Sequence, residues 1–163
     1  LIASSSQQIL IYRPLVPIHS LRRLHVIVPP RGEFDPGLKH WCRRIATLAE
    51  QTACRVSVYG EERTLRAVEG AWQAERRSLS ADFHKFTPAE GLAGVAARTR
   101  PDHMAVFVLA RRGMPSYHRR LDAIPGQLER YFSARSWMLI VPARSGATSS
   151  SGDGRNALTL PDL

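Results

Sequence analysis

The sequence predicts an α/β fold, a parallel sheet with helices packed on both faces. Three observations carry this. Residues 24–29 (LHVIVP), 104–109 (MAVFVL) and 137–141 (WMLIV) are short, nearly unbroken apolar runs, as expected of strands buried on both sides. The stretches between them place apolar residues three and four apart, the spacing of one helical face. The two patterns alternate along the chain, and strands linked by crossover helices lie parallel in one sheet.

Pro29-Pro30 end the first run, and residues 31–35 (RGEFD) form a turn. Asp35 is placed to cap a helix whose first residue is Pro36. Leu38, Trp41, Cys42, Ile45, Leu48 and Ala49 then share one helical face, with Lys39, Arg43, Arg44 and Glu50 opposite. Residues 55–59 read as a second strand, stopped by Gly60. The next helix, 61–77, has Leu65, Val68 and Trp72 on one side, and Glu61 and Glu62 complement its positive end. Residues 79–86 are a weaker strand, in which Phe83 alternates with Asp82 and His84. Thr87-Pro88 open a helix to Thr99 with a thin face of Leu92, Val95 and Ala96; Gly91 and Gly94 each weaken it by about 1 kcal/mol.

After the strand at 104–109 comes a long basic loop, 110–122. Pro125 opens the last helix, with Ile124, Leu128, Tyr131 and Phe132 on one side, and the fifth strand, 136–142, ends at Pro142. Residues 9–12 (ILIY) either add an edge strand or lead in from an upstream segment, and Pro14 and Pro17 argue against their continuing in the sheet. The organisation expected is a lead-in at 1–23, one domain at 24–143, and a flexible Ser/Gly-rich tail at 144–163.

No apolar run approaches the roughly 20 residues of a membrane helix, and no signal peptide is visible. The chain starts at Leu1, which reads as a piece of a longer protein. Cys42 and Cys54 read as reduced structural thiols. The net charge of +9 is nearly all arginine, with five Arg-Arg pairs spread along the chain. That pattern fits a surface meeting anionic lipid, nucleotide phosphate or nucleic acid, and equally a genome that writes Arg for Lys. Neither an RNP aromatic motif nor zinc-finger spacing supports specific nucleic-acid reading.

Motifs for metalloproteases, nucleophile elbows and the P-loop are lacking, and the six histidines show no metal-ligand spacing. Ser116 and His118 read as surface groups, Asp102 and Asp122 as turn and helix-start residues. No catalytic residue and no metal are therefore expected. In an open parallel sheet ligands sit beyond the carboxyl ends of the strands, where the strand order reverses. The segments at issue are the turn after residue 29 and the loop after 109. That loop carries Arg111, Arg112, Arg119 and Arg120 and ends at a helix start, Pro125-Gly126, suited to an anion.

The run PDHMAVFVLARRG (101–113) resembles the fourth-strand segment of universal stress proteins, and LHVIVPPRGE (24–33) resembles their first strand and turn. In that family a glycine-spaced loop cradles ATP phosphates. Gly113 and Gly126 match its first and third glycines; Ser116 stands for the second, Gln127 for the hydroxyl residue, and Arg31 before Gly32 for the Asp that faces the nucleotide. An acid-to-Arg change reverses the charge and the hydrogen-bond sense at that point. A narrower resemblance covers residues 9–143. Ile11-Tyr12-Arg13-Pro14, Pro29-Pro30-x-x-Glu33, Arg111-Arg112-Gly113-Met114-Pro115-Ser116-Tyr117 and the helix start at Ile124 look like the C-terminal region of bacterial sodium (cation)/proton antiporters.

The resemblance implies a universal-stress-protein-like, three-layer α/β/α sandwich, its five parallel strands in the order 3-2-1-4-5. It implies a non-catalytic regulatory domain on the cytoplasmic face of the bacterial inner membrane. Its partners would be the upstream antiporter domain, a second copy and the anionic membrane surface. An adenine nucleotide or cyclic dinucleotide is the ligand class implied, held by Arg31, Gly32, Arg111, Arg112, Gly113, Ser116, Gly126 and Gln127. Dimerisation would use the last strand as an edge, through Trp137, Met138 and Ile140. The alternative is a free-standing ATP- or AMP-binding stress protein.

Overall fold

The computed structural model describes residues 5–86 and 91–144. Its strands are β1 (Ile9–Arg13), β2 (Arg23–Ile27), β3 (Arg55–Gly60), β4 (Ala81–Lys85), β5 (His103–Val108) and β6 (Ser136–Val141). Its helices are α1 (Leu38–Thr52), α2 (Glu62–Ala74), α3 (Gly91–Arg98) and α4 (Ile124–Phe132), with short 3₁₀ turns at Ile18–Ser20, Gly32–Phe34 and Arg119–Ala123. The helix start expected at Thr87-Pro88 and the tail from residue 145 lie outside the described residues. No described helix is long and apolar enough to cross a membrane.

The strands form one sheet in the order β1-β6-β5-β2-β3-β4. β4, β3, β2, β5 and β6 run parallel, in the order expected of the five strands. The count of five is corrected to six. β1 joins antiparallel along the far side of β6, Ile9 opposite Val141 and Arg13 opposite Trp137. The prolines do not prevent this, because Pro14 follows the last residue of β1 and β1 is itself the outer strand, where a lost ladder bond costs little. β6 is therefore an interior strand, and Trp137, Met138 and Ile140 do not line an edge.

Alternation along the strands divides the core in two. Leu24, Val26, Val56, Val58, Met104 and Val106 face α1 and α2, where Trp41, Ile45, Val68 and Trp72 close the layer. Trp72 donates its indole N–H to the Cys42 carbonyl at 2.8 Å, which joins the two helices. Ala105, Phe107 and Leu139 face the other way, under Val95, Leu128 and Phe132 of α3 and α4. Phe107 and Phe132 meet edge to face at 5.4 Å. Cys42 and Cys54 are separate buried thiols.

α1 begins at Leu38 with Gly37 as its cap residue, not at Pro36. Asp35 cannot cap it, because its carboxylate is bonded elsewhere. Gly37 lies so close to β6 that a Cβ there would come 2.8 Å from Pro142 and 3.0 Å from the Ala143 backbone.

Candidate ligand crevice

β2 and β5 are hydrogen-bonded neighbours, and the chain leaves them on opposite sides: β2 leads to β3, while β5 leads to β6. Their carboxyl ends, at Ile27–Pro30 and Phe107–Val108, open together at this reversal of strand order into a crevice of about 760 Å³. Its walls are apolar: Ile27 and Phe107 from the sheet, Leu92 and Val95 from α3, Leu121 and Ile124 at the head of α4. His118, Arg119, Arg120 and Gln127 complete the lining. Neither Arg119 nor Arg120 makes an ion pair within 4 Å among the described residues, and both are exposed. A shallower hollow of about 560 Å³ adjoins it, lined by Arg112, Tyr117, Arg119 and Asp122.

Of the eight residues expected to hold a ligand, only Gln127 lines the crevice. The others have structural roles or stand apart. Gly32 is buried against Thr64 and Val28, each 3.3 Å from where its Cβ would be, so its smallness serves packing of the turn on α2. Arg31 is exposed at φ 64°, a left-handed conformation that opens the Gly32–Phe34 turn. Arg111 is buried and donates to the Pro142 carbonyl and the Gln7 carbonyl, both at 2.6 Å, which ties the lead into β1 to the end of β6. Ser116 is buried and donates both its hydroxyl and its N–H to the Asp35 carboxylate. Burial raises the Asp35 pKa above the ordinary carboxylate value, and the Ser116 bonds pull it back.

Gly113, at φ 86°, turns the loop after β5 in the open, and Gly126 is likewise exposed. Arg112 pairs with Asp122 at 3.2 Å, and Tyr117 donates to the same carboxylate at 2.7 Å. The anion-receptive helix start is also modified. The 3₁₀ turn Arg119–Ala123 runs directly into α4, and the Ile124 N–H already donates to the Leu121 carbonyl.

No family model, curated protein or solved structure matches the chain. The site therefore rests on its own geometry.

Sequence reasoning located the two loops and missed the arrangement inside them. Arg119 and Arg120 were visible as part of a long basic connection. The apolar walls were hidden because Ile27, Leu92, Phe107 and Ile124 come from four separate elements. The Asp35–Ser116 tie spans 81 residues, and no local signal announces it.

A second polar group lies on the same sheet face, spread across β2, β3, β4 and β5. His25 is buried; its Nδ1 is 3.1 Å from the Tyr59 hydroxyl and its Nε2 is 3.0 Å from His103 Nδ1. Tyr59 in turn stacks on His84, and Arg98 lies over its ring. Burial, with the neighbouring His103, Arg23, Arg98 and His84, lowers the His25 pKa to about 4. Among the described residues no cluster of three or more His, Cys, Asp or Glu could hold a metal ion.

Proposed function

We propose that this chain is a non-catalytic regulatory domain that takes a phosphate-bearing ligand with a flat apolar body, of the nucleotide class, at the switch point of its sheet. The observation that carries the reading is the crevice between the β2 and β5 ends, apolar inside and flanked by the exposed Arg119 and Arg120, neither of which makes an ion pair within 4 Å among the described residues. An apolar wall removes a ring system from water, and two exposed guanidiniums at the opening meet the charge attached to it. Ser116 is the hydroxyl nearest to a catalytic role, and it donates to Asp35 rather than to His118; this supports a binding reading over a hydrolytic one.

The motif resemblance at 9–143 supports placing such a domain on the cytoplasmic side of a cation/proton antiporter. There ligand would bias the exchanger by binding its states unequally. The universal-stress-protein-like fold and the adenine or cyclic-dinucleotide ligand belong to the same proposal.

Calorimetry with ATP, AMP, a cyclic dinucleotide and inorganic phosphate tests it. A nucleotide is expected to bind and phosphate alone to bind far more weakly. Arg119→Ala with Arg120→Ala is expected to weaken binding by about ten- to a hundredfold, the worth of one or two charge-assisted bonds. Ile124→Trp, which fills the crevice, is expected to abolish it, while Arg31→Ala is expected to leave it unchanged. Binding that survives both crevice changes, or no nucleotide binding at all, refutes the assignment.

A further inference from the structure

The two outer strands of the sheet are unlike. β4 carries Asp82, His84 and Lys85 in five residues, and Lys85 is paired with Glu62 at 2.8 Å. Charges of this kind keep a second chain from adding to an edge. β1 carries none of them along Ile9, Leu10, Ile11 and Tyr12, and its one charge, Arg13, stands at the end. Its inner side is bonded to β6 and no described strand lies beyond it, so a row of backbone N–H and C=O groups faces outward. Three large hydrophobic residues are exposed among those described: Tyr12 (38%), Leu15 (45%) and Phe34 (52%); two of them are on this strand or just after it. Natural sheets do not leave such an edge bare.

We propose that β1 is the contact of a two-fold homodimer, in which two sheets join antiparallel through Ile11. The strand's own sequence selects this occupant. An axis perpendicular to the sheet at Ile11 keeps the helix layers of both copies on matching sides and overlaps all five residues. Leu10 then lies opposite Tyr12 of the partner on the α1/α2 side, and Ile11 meets its own mate on the other. Arg13 lies opposite an Ile9, and the two Arg13 side chains stand four residues apart, about 13 Å. Parallel addition would instead stack arginine on arginine at about 4.8 Å and would not close, whereas a two-fold contact does. This contact stands independently of ligand binding in the crevice.

Sedimentation equilibrium on the full chain is expected to give a concentration-dependent approach to twice the monomer mass. Tyr12→Lys changes an exposed side chain, leaves the thermal melt of the monomer in place, and is expected to weaken association by tenfold or more (about 1.4 kcal/mol). Register is read by single cysteines under mild oxidation, Cys42 and Cys54 staying silent because they are buried. Ile11→Cys places two sulfurs on an opposed pair with Cα atoms about 5 Å apart, within disulfide reach, and is expected to cross-link. Arg13→Cys is not. A chain that stays monomeric, a Tyr12→Lys variant that still dimerises, or cross-linking at residue 13 as fast as at residue 11 overturns the proposal.

Discussion

The two faces of this sheet are built from the same strands on different terms. Toward α1 and α2 the strands present aliphatic residues and methionines, with one buried hydroxyl, Ser136 at the start of β6, bonded by the Leu15 N–H, and the layer is closed by two tryptophans whose helices are joined through Trp72 and the Cys42 carbonyl. Toward α3 and α4 the sheet is apolar chiefly at Ala105 and Phe107 of β5, Leu139 of β6 and Ile27 of β2. On β2 and β3 the same face carries His25, Ser57 and Tyr59, and it opens at the carboxyl end into the crevice. A face that must only hold the fold can be uniformly greasy, because a buried polar group without a partner costs free energy. The second face keeps His25, Ser57 and Tyr59 under cover, each supplied with a partner, leaves the buried Trp137 indole N–H without one among the described residues, and leaves one end unfilled. Stability is therefore expected to concentrate on the first face and responsiveness on the second.

The largest effect that would break this contrast is a cavity on the α1/α2 side. Trp41 is 1% exposed between α1 and the sheet. Trp41→Ala is expected to cost about 3–5 kcal/mol in urea unfolding, much of a single domain's stability. Loss of under about 1 kcal/mol would mean that this layer does not carry the fold.

The next effect is a pH dependence on the opposite face. His25 is held neutral with a pKa of about 4, against 6.5 when unfolded. Between those values the unfolded chain takes up a proton that the folded one refuses, so stability rises with pH across the window and is fully present above 6.5. About 3 kcal/mol is expected to disappear on acidification from 6.5 to 4. His103, which faces His25 and is also held below the usual histidine range by burial, acts in the same direction. Arg23, Arg98 and His84 oppose a charge on His25, and Asp102, 3.6 Å from His103, favours a charge on His103. The check is the difference between wild type and His25→Leu, which removes the titrating ring and leaves the other groups in both proteins. The acid slope between pH 6.5 and 5 is expected to flatten in the variant; an unchanged slope would place the sensitivity elsewhere.

How legible this was in the sequence depended on how local the cause is. β2, β5 and β6 were visible because burial on both faces leaves a continuous apolar run, and α1 because six residues repeat at helical spacing. β1 stayed undecided: ILIY is β-prone, but its place in the sheet is decided by β6, over a hundred residues away. The same distance effect misdirected the site. Arg111, Ser116 and Gly32 have the residue types of a phosphate cradle, yet their partners are Pro142, Asp35 and the Thr64 methyl, none of them near in sequence. A residue's type states what it is able to bind; the fold decides what reaches it first.

The smallest expected effect sharpens the comparison by strengthening the first face without touching the second. α1 ends at Ala53, whose φ of 52° lies in the left-handed region and whose N–H bonds back to Ala49 and Glu50. Glycine is the usual residue at such a helix end, because a Cβ is crowded there. Ala53 is exposed, so its methyl has little packing to lose. Ala53→Gly is expected to stabilise by about 0.5–1 kcal/mol, since relief of the left-handed strain exceeds the added freedom of the unfolded chain. In a thermal melt this is a rise of about 1–4 °C. The affinity of the crevice for its ligand is expected to stay the same, because α1 and the crevice lie on opposite sides of the sheet. A stabilised variant whose ligand affinity moved with it would show that the two faces act as one energetic unit and that the division between holding and responding is not real.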